Sequence, residues 1–570
     1  MSHTLHIIRK DMRHLGWAWL AWLVIVVASV LLTVAVASLE GQGFAMAIVA
    51  RQLISLTSLI QLVMLCLIVS RLVHEDPAAD REAFWLTRPV APADLAVAKL
   101  TLAAVVLVLL PLIGQWVTMA IFRVGLYDMW RATPSILLGQ IAWMLALTAA
   151  ATLTPSLTRY ALVLVGVAAG FVLLMSATFT ILLLIADPKP TPPGPQISDP
   201  IPTVAATVLV IAISLCVVLY QYRRRHVRVA ATIGTAGLLM SLVLPALWPF
   251  HINRPLDPDP GEWARDQTHA VARVGSASPR ASEEMSFRRR DTSRKQIAIP
   301  LSITGIPADE FVSAVATDSR LEVPGATLQS TQSAMVNVRR GAASEPSPNL
   351  LSSVRGALGN MQLLGSETVE GYEEWPVVLT LADQDFLRYS HSPGRLSATA
   401  EFHLARSMVA GAIPLASGGV LKEDTRRMEI VRIDRRTDGC TVTLRDVFIN
   451  PLLRPRPDEN EFILLRNRAR GEALMGGQDS FARAESNPLM PFLLAIALGG
   501  DAYAANGSVS GGFVVRTVAY RFPARSADGT SANPPLDASW LAGAEVVRIK
   551  SGYAGHVTRS LTITDFRMAQ

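Results

Sequence analysis

The sequence predicts a polytopic α-helical membrane domain of about seven spans, followed by an all-β, sandwich-like domain. Three observations carry that prediction. Seven apolar stretches, at about 16–38, 53–73, 97–122, 134–154, 160–186, 201–221 and 229–249, lie before residue 250 of a 570-residue chain. Charge is scarce, at 17% Asp, Glu, Lys and Arg, and uneven: residues 1–250 hold 16 basic and 10 acidic side chains, and residues 251–570 hold 36 of each. An ordinary soluble domain carries about 25% charged residues, so neither a purely soluble enzyme nor a disordered chain fits. Beyond residue 295 the pattern turns to short alternating segments separated by Gly- and Pro-rich turns.

Each apolar stretch is near the ~20 residues an α-helix needs to cross the hydrocarbon layer. None has a charged residue near its centre, in keeping with the cost of burying charge in lipid. Trp17, Trp19 and Trp22 open the first stretch and Trp248 closes the last, which reads as an interfacial aromatic belt. Ala35-Val36-Ala37-Ser38 has the form of a signal cleavage site. The apolar run before it is longer than a typical signal core and six more follow, so a retained helix is expected.

Loop charges set the orientation. With the N-terminus inside, Arg9, Lys10, Arg13, Arg71, Arg81, Arg88, Lys99, Arg159, Arg223, Arg224, Arg225 and Arg228 face the cytoplasm, against only Arg51, Arg123, Arg131 and Lys189 outside. The densest basic run, Arg223, Arg224, Arg225 and Arg228, reads as a topogenic loop at the lipid surface rather than a nucleic-acid patch. Seven spans then place residues 250–570 on the far side. The expected divisions are a membrane domain over 1–250, a Pro- and Arg-punctuated connector over 251–295, and a β-rich extracytoplasmic domain of one or two sandwiches over 296–570.

In that last part, strands are expected at Ile297–Thr304, Met335–Arg339, Pro376–Leu381, Leu396–Leu404, Met428–Ile433, Thr441–Ile449, Phe462–Leu465, Gly512–Tyr520 and Ala544–Ile549. Leu489–Leu498 is apolar but too short to cross a bilayer and reads as a buried helix or strand. Three cysteines, Cys66, Cys216 and Cys440, build neither a disulfide framework nor a zinc pattern. No Gly-Lys dipeptide occurs, so there is no P-loop, and no HExxH or GxSxG motif is present. His74-Glu75-Asp76 is the tightest group of potential metal ligands and reads as a solvated loop. Ser417-Gly418-Gly419 reads as a turn. No cofactor and no catalytic residue are expected.

The informative stretch joins the second and third spans: Glu75-Asp76-Pro77, then Arg81-Glu82-Ala83-Phe84-Trp85-Leu86-Thr87-Arg88-Pro89, then Lys99. An apolar knob, Phe84-Trp85-Leu86, ringed by Arg81, Glu82 and Arg88, has the form of a docking anchor with a polar rim. A short interfacial helix resting Trp85 in the headgroups is the alternative. Together with Ile7-Ile8-Arg9-Lys10-Asp11, this loop resembles the permease subunits of type-2 ABC exporters, over roughly residues 1–250.

The resemblance implies an amphipathic helix over residues 5–14 and a loop at 75–89 that docks on a separate ATPase subunit through Glu75, Asp76, Arg81, Glu82, Phe84, Trp85 and Arg88. It implies a second permease chain, identical or related, membrane lipid around both, no nucleic acid, and location in a bacterial inner membrane. It also implies no enzymatic activity in this chain. Members commonly have six spans with both termini inside, whereas this chain has seven apolar stretches and a large C-terminal part; either the seventh helix is a tether, or one stretch is re-entrant and residues 250–570 lie in the cytoplasm. The alternative from another class is a membrane-anchored extracytoplasmic binding or sensing protein without transport activity. A membrane-bound hydrolase is a third.

Overall fold

A computed structural model of the protein describes residues 3–39, 44–76, 91–167, 169–170, 200–247, 271–274, 279–283, 294–330, 334–337, 348–359, 361–364, 377–423, 425–436, 439–450, 460–485, 512–523 and 536–568. The first half is helical: α1 (His3–His14), α2 (Gly16–Leu39), α3 (Phe44–His74), α4 (Pro92–Ile121), α5 (Leu126–Thr152), α6 (Leu157–Val167), α7 (Pro200–Arg224) and α8 (Val227–Leu247). Helices occupy all seven expected places. Among the described residues four are long and apolar enough to cross a bilayer, Gly16–Ala35, Pro92–Ile121, Leu126–Thr152 and Val204–Arg224, which marks the chain as a membrane protein. The other three stretches correspond to shorter apolar helices, and the fifth continues outside the described residues.

The tryptophan belt is only partly as expected. Trp17 is 86% exposed, but Trp19 and Trp22 point into the bundle and are buried. Their place follows from α4. Pro111 has no N–H, and in a straight α-helix its ring would also crowd the carbonyl of Leu107. The helix answers with a π-turn over Ala104–Leu109, in which the Leu110 N–H donates to Val105 rather than Val106. In that wider register Val106 would accept from residue 111, which is the proline. The indole N–H of Trp22 takes the place of the missing donor, 3.0 Å from the Val106 carbonyl oxygen. Away from water, an unpaired carbonyl would cost several kcal/mol. One turn further on, Gly114 lets α2 come close, since a Cβ there would meet Val26 and Val30 at 3.1 and 3.3 Å.

The second half is built on a long central sheet in the order β6 (Ala326–Gln329), β5 (Glu310–Val323), β10 (Gly394–Pro414), β18 (Ala544–Phe566), β14 (Asn460–Asn467), β15 (Glu472–Met475) and β8 (Gln362–Leu364). β7 (Ala334–Asn337) also pairs with β5. β10 and β18 pair antiparallel along nearly their whole length, with irregularities after Leu404 and Val409 that bend the ladder. They thereby serve two lobes. In one lobe their Gly394–Leu404 and Gly555–Phe566 ends pack with a three-stranded sheet of β2 (Arg280–Glu283), β3 (Arg294–Ala298) and β9 (Val377–Ala382) around Ile297, Leu379, Phe402 and Val557. β1 (Val271–Val274) pairs with β4 (Leu301–Thr304) beside it.

In the other lobe a five-stranded sheet, in the order β11 (Val420–Glu423), β12 (Arg426–Arg436), β13 (Gly439–Asn450), β17 (Gly512–Pro523) and β16 (Gly477–Glu485), faces the central sheet. Ile430, Val442, Ile463, Phe522, Trp540 and Val546 fill the space between them. The opposite side of the central sheet is covered by α9 (Pro348–Ala357) through Val354, Leu358 and Leu464. Two short helices, α10 (Asp383–Tyr389) and α11 (Ala538–Ala542), complete the described elements.

Over the described residues each of the nine expected strands coincides with a strand, and Val338, Arg339 and Pro376 lie outside them. Pro300 separates β3 from β4 where one strand was expected. β5 and the distal halves of β10 and β18 go beyond the expected set, and β1 and β2 lie within the stretch read as a connector. Leu489–Leu498 lies outside the described residues.

Charged groups are buried between the sheets of the second lobe. Arg426 pairs with Asp446 and Glu461. Arg516 reaches the same two carboxylates at 2.7 and 3.1 Å, and Arg548 reaches Glu461 at 2.6 Å and also Glu423. Three cations meet three anions, as burial demands. The Arg426 and Arg516 guanidiniums also lie over the Phe448 ring, each 5.2 Å from its centre. Burial alone would push the Glu461 carboxyl up, but Arg426, Arg548 and Arg516 outweigh it and hold it well below the usual carboxylate range.

The two halves share a core. Leu112, Met119 and Phe122 at the far end of α4, with Met129, Ala132 and Ile136 of α5, pack on Val447 and Ile449 of β13 and Phe513 and Val515 of β17. The Arg445 guanidinium caps this contact 5.5 Å above the Phe122 ring.

Two stability predictions follow from this packing. A Cβ at Gly356 of α9 would overlap the Ala308 carbonyl, so Gly356→Ala should lift α9 from the sheet at a cost of about 1–3 kcal/mol, read as a lower unfolding temperature. Because the Glu461 pKa is depressed on folding, its contribution is present above the ordinary carboxylate range and is lost as pH falls through the folded value. Glu461→Gln should therefore lower stability at pH 7 and flatten its loss on acidification, as followed by circular dichroism from pH 7 to 3.

Candidate functional site

The end of the helical half away from the β strands holds a second buried ion cluster. α1 brings Lys10 and Asp11 to it, the end of α3 brings His74, Glu75 and Asp76, and the second turn of α4 brings Lys99. Local sequence explains each position. α4 starts at Pro92, whose fixed φ and missing N–H suit a first helical position, with Asp94 in the first turn against the positive helix end. Its inward face then reads Leu95, Ala96, Ala98, Lys99, Leu102 and Ala103, a helical stripe in which one position is a lysine.

The Lys99 ammonium lies 2.9 Å from Asp11 Oδ2 and 3.0 Å from Asp76 Oδ2. The side chains of Lys99 and Asp11 are 2% and 1% exposed. Lys10, half exposed, closes the cluster from the rim, with its Nζ 3.2 Å from Asp76 Oδ2 and 3.7 Å from Glu75. Two buried carboxylates face one buried ammonium, so Lys10 supplies the balancing charge. Burial would raise the Asp76 carboxyl, but Lys99 and then Lys10 outweigh it and hold it below its usual range. Burial would lower the Lys10 amine, but Asp76, Glu75 and Asp11 outweigh it and raise it. Tyr222, in the last turn of α7, is buried within electrostatic reach of both aspartates.

His74 fixes the neighbouring turn. Its Nε2–H donates to the Thr154 carbonyl at 2.9 Å, which leaves Nδ1 to accept from the Ser70 hydroxyl at 2.8 Å. The reading of His74-Glu75-Asp76 as a solvated loop is therefore corrected: His74 ties α3 to the end of α5, and Asp76 ties it to α1 and α4.

Of the sequence-derived docking residues, Glu75 and Asp76 sit in this cluster, and Arg81, Glu82, Phe84, Trp85 and Arg88 lie outside the described residues. The basic run closes the hairpin between α7 and α8. Arg223, Arg224 and Arg228 are exposed, and Arg225 takes a left-handed φ of 56° at the turn. Lys10, Asp11 and Lys99 were missed as a unit. Two opposite charges at the edges of separate apolar runs were the available signal.

No known protein family matches the chain, and no curated relative matches it either. Among the described residues no group of three or more His, Cys, Asp or Glu side chains could hold a metal ion. The cluster is thus an electrostatic clamp at both ends of residues 77–90. It joins the last residue before that stretch to the helix that begins just after it.

Removing one partner of such a pair strands the other charge. Asp11→Asn or Lys99→Met alone should cost about 3–5 kcal/mol, and the double variant less than the sum of the two. Thermal unfolding in detergent measures this. The depressed Asp76 contributes above the ordinary carboxylate range and is lost as pH falls through its folded pKa. The raised Lys10 contributes below the ordinary lysine range and is lost as pH rises through its own.

Proposed function

We propose that this chain is the membrane permease subunit of an ATP-driven ABC export system in a bacterial inner membrane. Two such chains, or this one and a relative, would enclose a substrate path through the lipid. A separate ATPase pair would drive it through the loop at residues 75–89. The single observation that supports this reading best is the clamp. Asp76 and Lys99 bracket residues 77–90 and meet α1 in one buried cluster, so a push on that loop reaches three helices at once. Rigid-body movement of the helices would then alternate access.

The span of α4 supports the arrangement across the membrane. From Lys99 to Met119 the helical rise amounts to about 30 Å, the thickness of a hydrocarbon core. The loop clamp lies at one end of that distance and the β strands at the other. On this reading the clamp end faces the cytoplasm and the β half the outside, with seven spans in all, which the excess of basic residues in the inner loops supports. The shared core of α4, α5, β13 and β17 weighs against the alternative of an extracytoplasmic binding domain on a passive anchor, since a passive anchor needs no such joint.

The test is to purify the tagged full-length chain from its native membrane in mild detergent and identify what comes with it. A stoichiometric ATPase, lost in Trp85→Ala/Arg88→Ala with normal membrane insertion, is the expected outcome. Recovery without any ATPase, under conditions that keep known permease complexes together, would transfer the assignment to the anchored binding protein.

A further inference from the structure

One helix carries three separate features. At its start α4 holds the Lys99 clamp, at its middle the π-turn, and at its end the joint with β13 and β17. The middle feature has two possible hydrogen-bond registers. In the π register Leu110 donates to Val105, and Val106 is served by the Trp22 indole from α2. In the straight register Leu110 would donate to Val106, the indole would lose its acceptor, and Leu107 would face Pro111 without a donor. Each register leaves one carbonyl without a backbone partner, and only the π register has an outside donor in place. The segment beyond Leu110, which bears Leu112, Met119 and Phe122, turns relative to the segment bearing Lys99 when the register changes.

We propose that α4 is a two-register transmission element, locked by Trp22, that couples the Asp11–Asp76–Lys99 clamp to the seating of the β half on α4 and α5. Trp22 is a positioning residue in this device. Displacement of the clamp moves the first half of α4 against the fixed indole, releases the lock and loosens the joint at β13 and β17. The β half is then an output of events at the loop rather than a separate module. What drives the clamp rests on the proposed function. The coupling itself does not, because it can be read without any partner or nucleotide.

The test is hydrogen–deuterium exchange on the full-length protein in lipid nanodiscs, comparing wild type with Trp22→Phe, Pro111→Ala, the double variant and Lys99→Gln. Trp22→Phe keeps an aromatic ring, smaller than the indole, and removes the donor. Pro111→Ala removes the crowding and returns an N–H, which favours the straight register. An alanine for a proline inside a helix ordinarily stabilises, so loosening elsewhere is not what a purely local role predicts.

The expected result is that Trp22→Phe, Pro111→Ala and Lys99→Gln each speed exchange in β13 and β17 by about fivefold, within the range of measured couplings through protein structure. The double variant should level off at the exchange of the straight register rather than multiply the single effects without limit, since both shift one equilibrium. β5 and the Gly394–Leu404 part of β10 should keep wild-type exchange. Exchange changes confined to α2 and α4, or a Pro111→Ala protein with slower exchange in β13 and β17, would overturn the proposal. Faster exchange spread equally over β5 and β10 would overturn it too, because that is general loosening. Failure here leaves the ATPase co-purification result untouched.

Discussion

An ammonium group inside an apolar helical bundle survives only beside its counter-ions, and Lys99 sets that condition for the whole loop-side end of the molecule. It draws in Asp11 from α1 and Asp76 from the end of α3, and their second negative charge draws in Lys10. A surface ion pair of this kind is worth little, since water and salt screen it. Here Lys99 and Asp11 are almost wholly buried, so breaking one contact leaves a stranded charge rather than a solvated one. The positions of α1, α3 and α4 are therefore interdependent at this end. The same rule operates a second time in the β half, where Arg426, Arg516 and Arg548 are matched by Glu423, Asp446 and Glu461 between the sheets.

Between these two ionic centres the structure depends on backbone bookkeeping of another kind. Pro111 takes a donor out of α4, a π-turn moves the deficit to Val106, and Trp22 fills it from a neighbouring helix. No side-chain charge is involved, yet the contact fixes how the two halves of α4 are turned relative to each other. That angle in turn presents Leu112, Met119 and Phe122 to the strands that cover them. Ion pairing at one end and apolar packing at the other are thus linked through a single hydrogen bond, and both rest on the absence of water from the bundle.

Much of the architecture was legible in the sequence. Apolar runs about the length of a bilayer mark helices because no other local structure satisfies the backbone in lipid. Alternation in Thr441–Ile449 marks a half-buried strand because side chains there point to opposite faces. β5 escaped because Glu310–Val323 mixes polar and apolar residues in a strand paired on both sides, where the ladder decides rather than the pattern. The second halves of β10 and β18 escaped because bulges at Leu404 and Val409 break the two-residue period. Of the candidate site, Glu75 and Asp76 could be picked out from the loop that holds them. Lys99 stood out as an inside-facing base and as the end of that loop but not as a buried partner of Asp11, and Trp22 only as a belt residue.

By itself, then, the amino-acid sequence determined that the first half is helical and membrane-embedded and that the second is built of strands. These are properties of local period, length and composition. Tertiary structure alone decided that Lys10, Asp11, Asp76 and Lys99 meet, that Trp22 completes a hydrogen bond left open by Pro111, and that β13 and β17 rest on α4 and α5. Such contacts join residues from 23 positions apart, as Asp76 and Lys99 are, to about 400, as Leu112 and Phe513 are. A charge or an indole carries no mark of its partner in the chain around it. The partner is chosen when burial makes an unpaired group too costly to keep.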